Sequence, residues 1–248
     1  MLFIIICFVL ILLNGYETSI IDISLLNVPL ITPSHSDEKV KKNRLTKKER
    51  EAFLINDYLK EILVGLLLGD LYGRKKSAYA LFIFKQGLIN KDYLNHLYSI
   101  FKYYTASGPK ISNNPPHPKT GKCYISILFY TYSLPCFNEL YDFFYVSGKK
   151  VVPINIFDLL TSVSLSYWIA DDGSWNKVGK YVTLCTDSFT LVEVLQLIEV
   201  LNKKFNLNCY KVKCGNNFRI IIPSYSIPAL RKLLSSHIPP MMKYKIGL

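Results

Sequence analysis

The sequence predicts an α+β fold built from two halves that repeat one another, each running helix, strand, helix, strands, helix. Three observations carry that expectation. A nearly all-apolar helix ending in an acidic residue occurs twice, near 57–70 and near 158–171. Each is followed by a strand whose side chains alternate, at 79–85 and 181–186. Each strand is followed by an amphipathic helix, near 91–103 and 191–205. At 248 residues, half of them apolar, the chain can bury a substantial core, and disorder is excluded for most of its length.

The amino terminus stands apart from this pattern. Residues 1–13 are all apolar, but thirteen residues rising ~1.5 Å each cannot cross a hydrocarbon layer of ~30 Å. No positive region precedes them and no small-residue cleavage site follows, which argues against a secretory signal. Membrane association of residues 1–31 is left open. Seven basic side chains between Lys39 and Arg50 then form a solvated arm or a phosphate-tracking one. Thr46-x-x-Glu49 has capping-box spacing ahead of the apolar helix, so the compact part is expected to begin near Thr46. The organisation expected is therefore a segment 1–45 outside the repeat, a first half 46–157 and a second half 158–248.

In the first half a strand from Cys123 to Tyr130 and a helix near 136–146 complete the pattern. In the second, strands near 208–214 and 217–222 and a helix near 226–236 do so. Along 79–85, Tyr79, Leu81, Ile83 and Lys85 face one way and Ala80, Phe82 and Phe84 the other. Helices would cover the apolar face, leaving a polar, aromatic and basic face outward. Asp70 precedes Gln86 by 16 residues, and Asp172 precedes Ser188 by 16.

A net charge of +12 and a pI near 9.3 point to a polyanionic partner, since each phosphate neutralised releases counterions. Six cysteines form no CxxC pair, and Cys209 and Cys214 have no neighbouring His. They are read as reduced, mostly core thiols. The four scattered histidines are read as structural.

The chemistry sits at the ends of the two apolar helices. Leu63-Val-Gly-Leu-Leu-Leu-Gly-Asp-Leu71 carries Gly65 and Gly69 at i and i+4, each costing about 1 kcal/mol against Ala inside a helix. That cost is understandable where a second helix approaches closely. Leu165-Ser-Tyr-Trp-Ile-Ala-Asp-Asp-Gly173 places small Ser166 and Ala170 at the same spacing. Carboxylates at a helix C-terminus oppose the macrodipole by about 0.3–1 kcal/mol, a penalty that a nearby cation reverses. A single such motif is an ordinary turn closing a buried helix. Two in register point to acids gathered at one spot, where oxygen ligands select hard cations.

These paired motifs resemble those of the LAGLIDADG homing endonucleases, the single-chain, mitochondrial intron-encoded kind. The likeness covers about 54–248 and is strongest at Leu165–Gly173, Asp187–Thr190, Lys204–Tyr210 and Pro240–Lys245. It implies two pseudo-symmetric αββαββα-like halves, antiparallel sheets forming a DNA-binding saddle, and the motif helices at the interface. It implies a monomer that makes staggered double-strand breaks in DNA with two or more divalent ions, Mg²⁺ above all, and no small-molecule cofactor. The eighth motif position, the metal-binding catalytic acid, falls on Asp70 and Asp172. Basic residues of the family's active site fall on Lys150 and Lys245. The sequence departs from the ideal motifs at Leu68, where an acid is usual, and at Tyr167, where a glycine is usual. A rival reading is an intron-RNA maturase on the same scaffold. The richness in Ile, Lys, Asn and Tyr suits an AT-rich, mitochondrial genome.

Overall fold

The computed structural model describes residues 44–75, 77–116 and 121–248. The apolar stretch 1–31 and the start of the basic run lie outside the described residues. Helix α1 (Lys47–Glu51) starts on the expected capping box, with the Glu49 N–H donating to Thr46 Oγ1 at 3.2 Å and the Thr46 N–H to the Glu49 carboxylate at 2.6 Å. The box caps this short helix and not the apolar one. Helix α2 (Asp57–Leu68) restarts on Asn56, whose side chain accepts the Leu59 N–H at 2.9 Å. From Ile62 to Leu68 every residue is buried, as a helix apolar on all sides demands.

The first half continues with β1 (Tyr72–Lys75), β2 (Ala80–Gly87), α3 (Lys91–Phe101), β3 (Lys110–Asn113), β4 (Ile125–Tyr130) and α4 (Asn138–Phe144). A two-residue hairpin ladder, β5 (Tyr145–Val146) and β6 (Lys149–Lys150), leads through α5 (Ile156–Leu159) into the second half. There α6 (Ser162–Asp172) is followed by β7 (Gly173–Asn176), β8 (Tyr181–Leu184), α7 (Leu191–Phe205), β9 (Tyr210–Cys214), β10 (Asn217–Ile222) and α8 (Ile227–Leu234). A 3₁₀ segment, Pro240–Ile246, ends it. Both halves are αββαββα. Their antiparallel sheets share one strand order, β1-β2-β4-β3 and β7-β8-β10-β9.

Alternation sets which face is covered. Ala80, Phe82 and Phe84 are buried while Leu81, Ile83 and Lys85 are not, and Phe84 stacks on Phe129 with ring centroids 4.4 Å apart. In the second sheet Val182, Leu184, Ile220 and Ile222 are fully covered. β1, β3 and β7 were not anticipated from the sequence; four residues are too few for a periodicity to declare itself. The second motif helix begins at Ser162 and not near 158, because Thr161 caps it by accepting the Ser164 N–H at 3.2 Å, and Leu160 is left extended. The expectation of core thiols holds for Cys209. Cys136 and Cys185 are half-buried, and Cys123 and Cys214 are exposed. Among the described residues, no helix is long and apolar enough to cross a membrane.

Candidate active site

Helices α2 and α6 lie directly against each other. A Cβ on Gly65 would fall 2.0 Å from the Ser164 carbonyl oxygen, and one on Gly69 would fall 2.6 Å from Asp171 Cβ. The glycines thus do what their cost implied: no larger residue fits there. Their partners differ from the expected pair. Ser164 and Asp171, seven apart on α6, form the facing stripe. Ser166 and Ala170 lie roughly 200–240° further round from Ser164 at about 100° per residue, and Ser166 Oγ donates to the Val163 carbonyl at 2.7 Å.

The packing brings three carboxylates together at the adjoining helix ends. Asp70 is exposed, just past the Gly69 that closes α2, and Asp172 is the last residue of α6. Between them Asp171 turns into the interface. Its Oδ2 accepts the Asp70 backbone N–H at 3.2 Å, its Oδ1 accepts Gln86 Nε2 at 3.3 Å, and the buried Tyr93 hydroxyl lies beside it. Gln86 also reaches Asp70 Oδ2, at 3.4 Å, and so bridges the two halves. Burial, then Asp70, then Asp172, push the Asp171 carboxyl well above the usual range. Burial and the Asp70 charge push Asp172 up to about 7, against the opposing pull of Lys150 and Lys245.

Each predicted lysine is found at a motif helix end, bound to a carbonyl oxygen and not directly to a carboxylate. Lys150 Nζ donates to the Gly69 carbonyl at 2.7 Å, and Lys245 Nζ donates to the Asp171 carbonyl at 2.8 Å. Gly69 and Asp171 each immediately precede the predicted acid, so both halves repeat one unit of lysine, carbonyl and aspartate. The last turn of a helix leaves carbonyls without intrahelical partners, and a cation there also answers the macrodipole. Burial lowers the proton affinity of both lysines while the three aspartates raise it. Lys150 is steadied from the second half, where Glu193 caps α7 and accepts the Val152 N–H at 2.9 Å.

Sequence reading missed the roles of Asp171, Gln86 and Tyr93. A signal for Asp171 existed: neighbours on a helix point about 100° apart, so only one of two consecutive acids can face outward. The matched 16-residue spacings do not mark matched sites. Extending the ladder from Tyr72↔Ile83 sets Lys85 opposite Asp70, whereas Gly173↔Leu184 sets Cys185 opposite Asp172. The first spacing therefore overshoots by one residue and the second by three. Among the described histidines, half-buried His96 stacks on Tyr167 and its Nε2 lies 3.1 Å from the tyrosine hydroxyl.

Beside Asp70 an open groove of about 490 Å³ runs along the outer face of the first sheet, lined by Tyr72, Ile83, Lys85, Gln86 and Ser126 among others. Among the described residues, no three His, Cys, Asp or Glu side chains gather into a closed metal cage. Of the three aspartates, Asp70 lines this groove.

Comparison with known proteins follows the same lines. Residues 60–230 match the model of the LAGLIDADG DNA endonuclease family. The chain is 35% identical over 198 residues to the cytochrome b mRNA maturase bI2 of Debaryomyces hansenii, spanning 75% of this chain and 72% of that protein. It is 34% identical over 210 residues to a probable intron-encoded endonuclease 1 of Wickerhamomyces canadensis, spanning 78% of this chain and 90% of that one. Among solved structures, the homing endonuclease I-WcaI bound to its DNA recognition sequence superposes with a TM-score of 0.76 at 30% identity, covering 82% of this chain and 94% of the other. The chain belongs to the LAGLIDADG DNA endonuclease family.

Proposed function

We propose that this chain is a site-specific DNA endonuclease that makes staggered double-strand breaks by metal-assisted phosphodiester hydrolysis, as in intron homing. The observation that carries this reading is the repeated unit at the helix ends: Lys150 on the carbonyl before Asp70, and Lys245 on the carbonyl before Asp172. A relative named as an intron-encoded endonuclease and a DNA-bound homing endonuclease of the same fold support it.

The residues present fit hard divalent ions. Burial and then the neighbouring Asp70 charge raise the proton affinity of Asp172, and a bound cation would offset both by favouring its ionised form. With no third side chain closing a cage among the described residues, the remaining positions suit phosphate oxygens and water, as Mg²⁺ requires. Two or more such ions, when bound, would polarise the scissile phosphates and acidify attacking water.

The protein's own part is positional and electrostatic. Asp70 and Asp172 present anionic oxygens at the junction of the halves. Asp171, held by Gln86 and the Asp70 backbone, fixes the spacing between the helix ends. Lys150 and Lys245 pin the carbonyls that precede the two acids and place positive charge where a phosphate's negative charge grows. The outer faces of the two sheets, one carrying Lys85 and Lys110 and the other Arg219, would lie in the major groove, which admits a β-ribbon. Because residues 46–157 and 158–248 each supply one acid and one lysine, a monomer suffices.

A second reading, binding of intron RNA, is favoured by the relatives named as cytochrome b mRNA maturases, at 35% and 32% identity. Their names also fit a mitochondrial origin for the gene. Incubating the chain and Mg²⁺ with a library of DNA carrying uninterrupted exon junctions, and sequencing the ends, separates the readings. Staggered cuts at one junction are expected. No cut with any divalent ion, together with tight binding to the host intron RNA, would favour the maturase.

A further inference from the structure

The outer faces of the two sheets differ in how their positive charge is held. On the first sheet, Lys85, Leu128 and Lys110 share one row across β2, β4 and β3, and among the described residues neither lysine touches a carboxylate. Ile220 pairs with covered Leu184 and with Lys211, which is exposed at the edge strand on that same side of the sheet, so Arg219 falls on the opposite, outer face, across from Val212. By that alternation Arg219 is the one basic side chain facing outward from β7, β8, β9 and β10. It is also the one held by an acid: Nε donates to Asp187 Oδ1 at 2.9 Å and Nη2 to Oδ2 at 2.6 Å. Both groups are about one-third exposed, so the pair is open to a partner.

That geometry decides what Arg219 can do. Its guanidinium is engaged along the Nε–Nη2 edge, which leaves the Nη1 hydrogens and the second Nη2 hydrogen, the end-on fork, free. An arginine neutralised by a bidentate carboxylate has little net charge to offer a phosphate. Its free fork still matches two acceptors lying side by side, and guanine O6 and N7 are such a pair in the major groove. The place is also defined. The Cys185 N–H donates to the Asp172 carbonyl at 3.2 Å, and Asp187 follows two residues later, so the pair stands beside the second acid.

Resting on the DNA-cutting reading above, we infer that Arg219 is a specificity-determining residue that reads a guanine of the half-site nearest Asp172, and that Asp187 is the positioning residue that aims it. Asp187 does two things here. It locks one rotamer of a long side chain, and it cancels the charge that would otherwise bind any phosphate.

The test is selection of bound duplexes from a randomised library by the full chain in Ca²⁺, with and without substitution, each variant first checked by thermal melting. The wild type should enrich guanine about tenfold or more at one position. Arg219→Ala should flatten that position to within about twofold and leave the others unchanged. Asp187→Asn should weaken the same position while raising affinity for random duplex and steepening its salt dependence by about one ion. An unchanged profile for Arg219→Ala, or a uniform loss at every position as a phosphate anchor would give, overturns the inference. If the wild type enriches no duplex at all, the endonuclease reading falls with it.

Discussion

The ends of the two motif helices are built from the same parts and sit in different surroundings. At the first, Gly69 closes the helix, Asp70 is exposed, and the open groove of the first sheet begins beside it. At the second, a second acid stands where the first half has glycine, and Asp172 is half-buried with its carboxyl pushed up to about 7. The missing side chain on one helix makes room for the extra one on the other: a Cβ on Gly69 would lie 2.8 Å from Asp171 Oδ2. The repeat therefore conserves the bonding unit of lysine, carbonyl and acid and gives up equality of charge environment. The lesson is that packing two helices this closely leaves space for one interfacial carboxylate, not two.

The largest expected effect comes from the shared unit. Asp70→Asn and Asp172→Asn should each lower the cleavage rate by about a thousandfold or more, with affinity for target DNA within a few-fold of wild type, as single-turnover cleavage and gel shift will show. Cleavage retained by either variant would mean that the two ends are not functionally alike.

Next come the lysines. On the proposed reading, Lys150→Met and Lys245→Met should each slow cleavage by about 10–100-fold, because the lysines would orient the groups that hold the metal without holding it themselves. Equal losses would show that the two units stay equivalent despite their surroundings. A much larger loss for Lys245→Met would show that the denser negative charge around Asp171 and Asp172 needs its cation more.

Packing offers a sharper contrast within one interface. Gly65→Ala forces a methyl group onto the Ser164 backbone and should cost about 1–3 kcal/mol or more in stability. Ser166→Ala, on the other side of α6, removes one local hydrogen bond and should cost about 1 kcal/mol at most. Chemical denaturation will rank them.

The smallest effect concerns pH. Asp171 and Asp172 bind protons more tightly folded than unfolded, so in chelator, stability should rise as pH falls from about 7.5 to about 5, against a smaller opposing contribution from His96, whose proton affinity burial lowers. Below about 4 the trend should reverse, since Asp187 and Glu193 have folded values lowered from the ordinary range and lose their contribution there. A melting temperature a few degrees higher at pH 5 than at 7.5, with Mg²⁺ closing the gap at 7.5, is the expected record. A gap of opposite sign would mean that the acidic cluster is not buried between the helices.

Much of this was legible beforehand because it depends on local pattern. Gly65 and Gly69 announced a close approach, the alternation along 80–84 announced the covered face, and Thr46 with Glu49 announced a helix start. What stayed hidden depends on direction and on distant partners. Nothing in Leu165–Gly173 says which of two consecutive acids turns inward until the position of α2 is known. Lys150 and Lys245 could be placed near the acids by resemblance, but that they bind carbonyls follows from where β6 and the 3₁₀ segment Pro240–Ile246 return in space. Tyr72–Lys75 and Gly173–Asn176 are too short to show a strand period, and they become strands only when β2 and β8 fold back on them.

The central claim, that Asp70 and Asp172 serve one centre, is tested most directly by a double-mutant cycle on cleavage of a matched target. If the acids act as a unit, the variant carrying both Asp70→Asn and Asp172→Asn should be no slower than either single variant. Losses that multiply, or a single variant that still makes double-strand breaks at the wild-type rate, would contradict it.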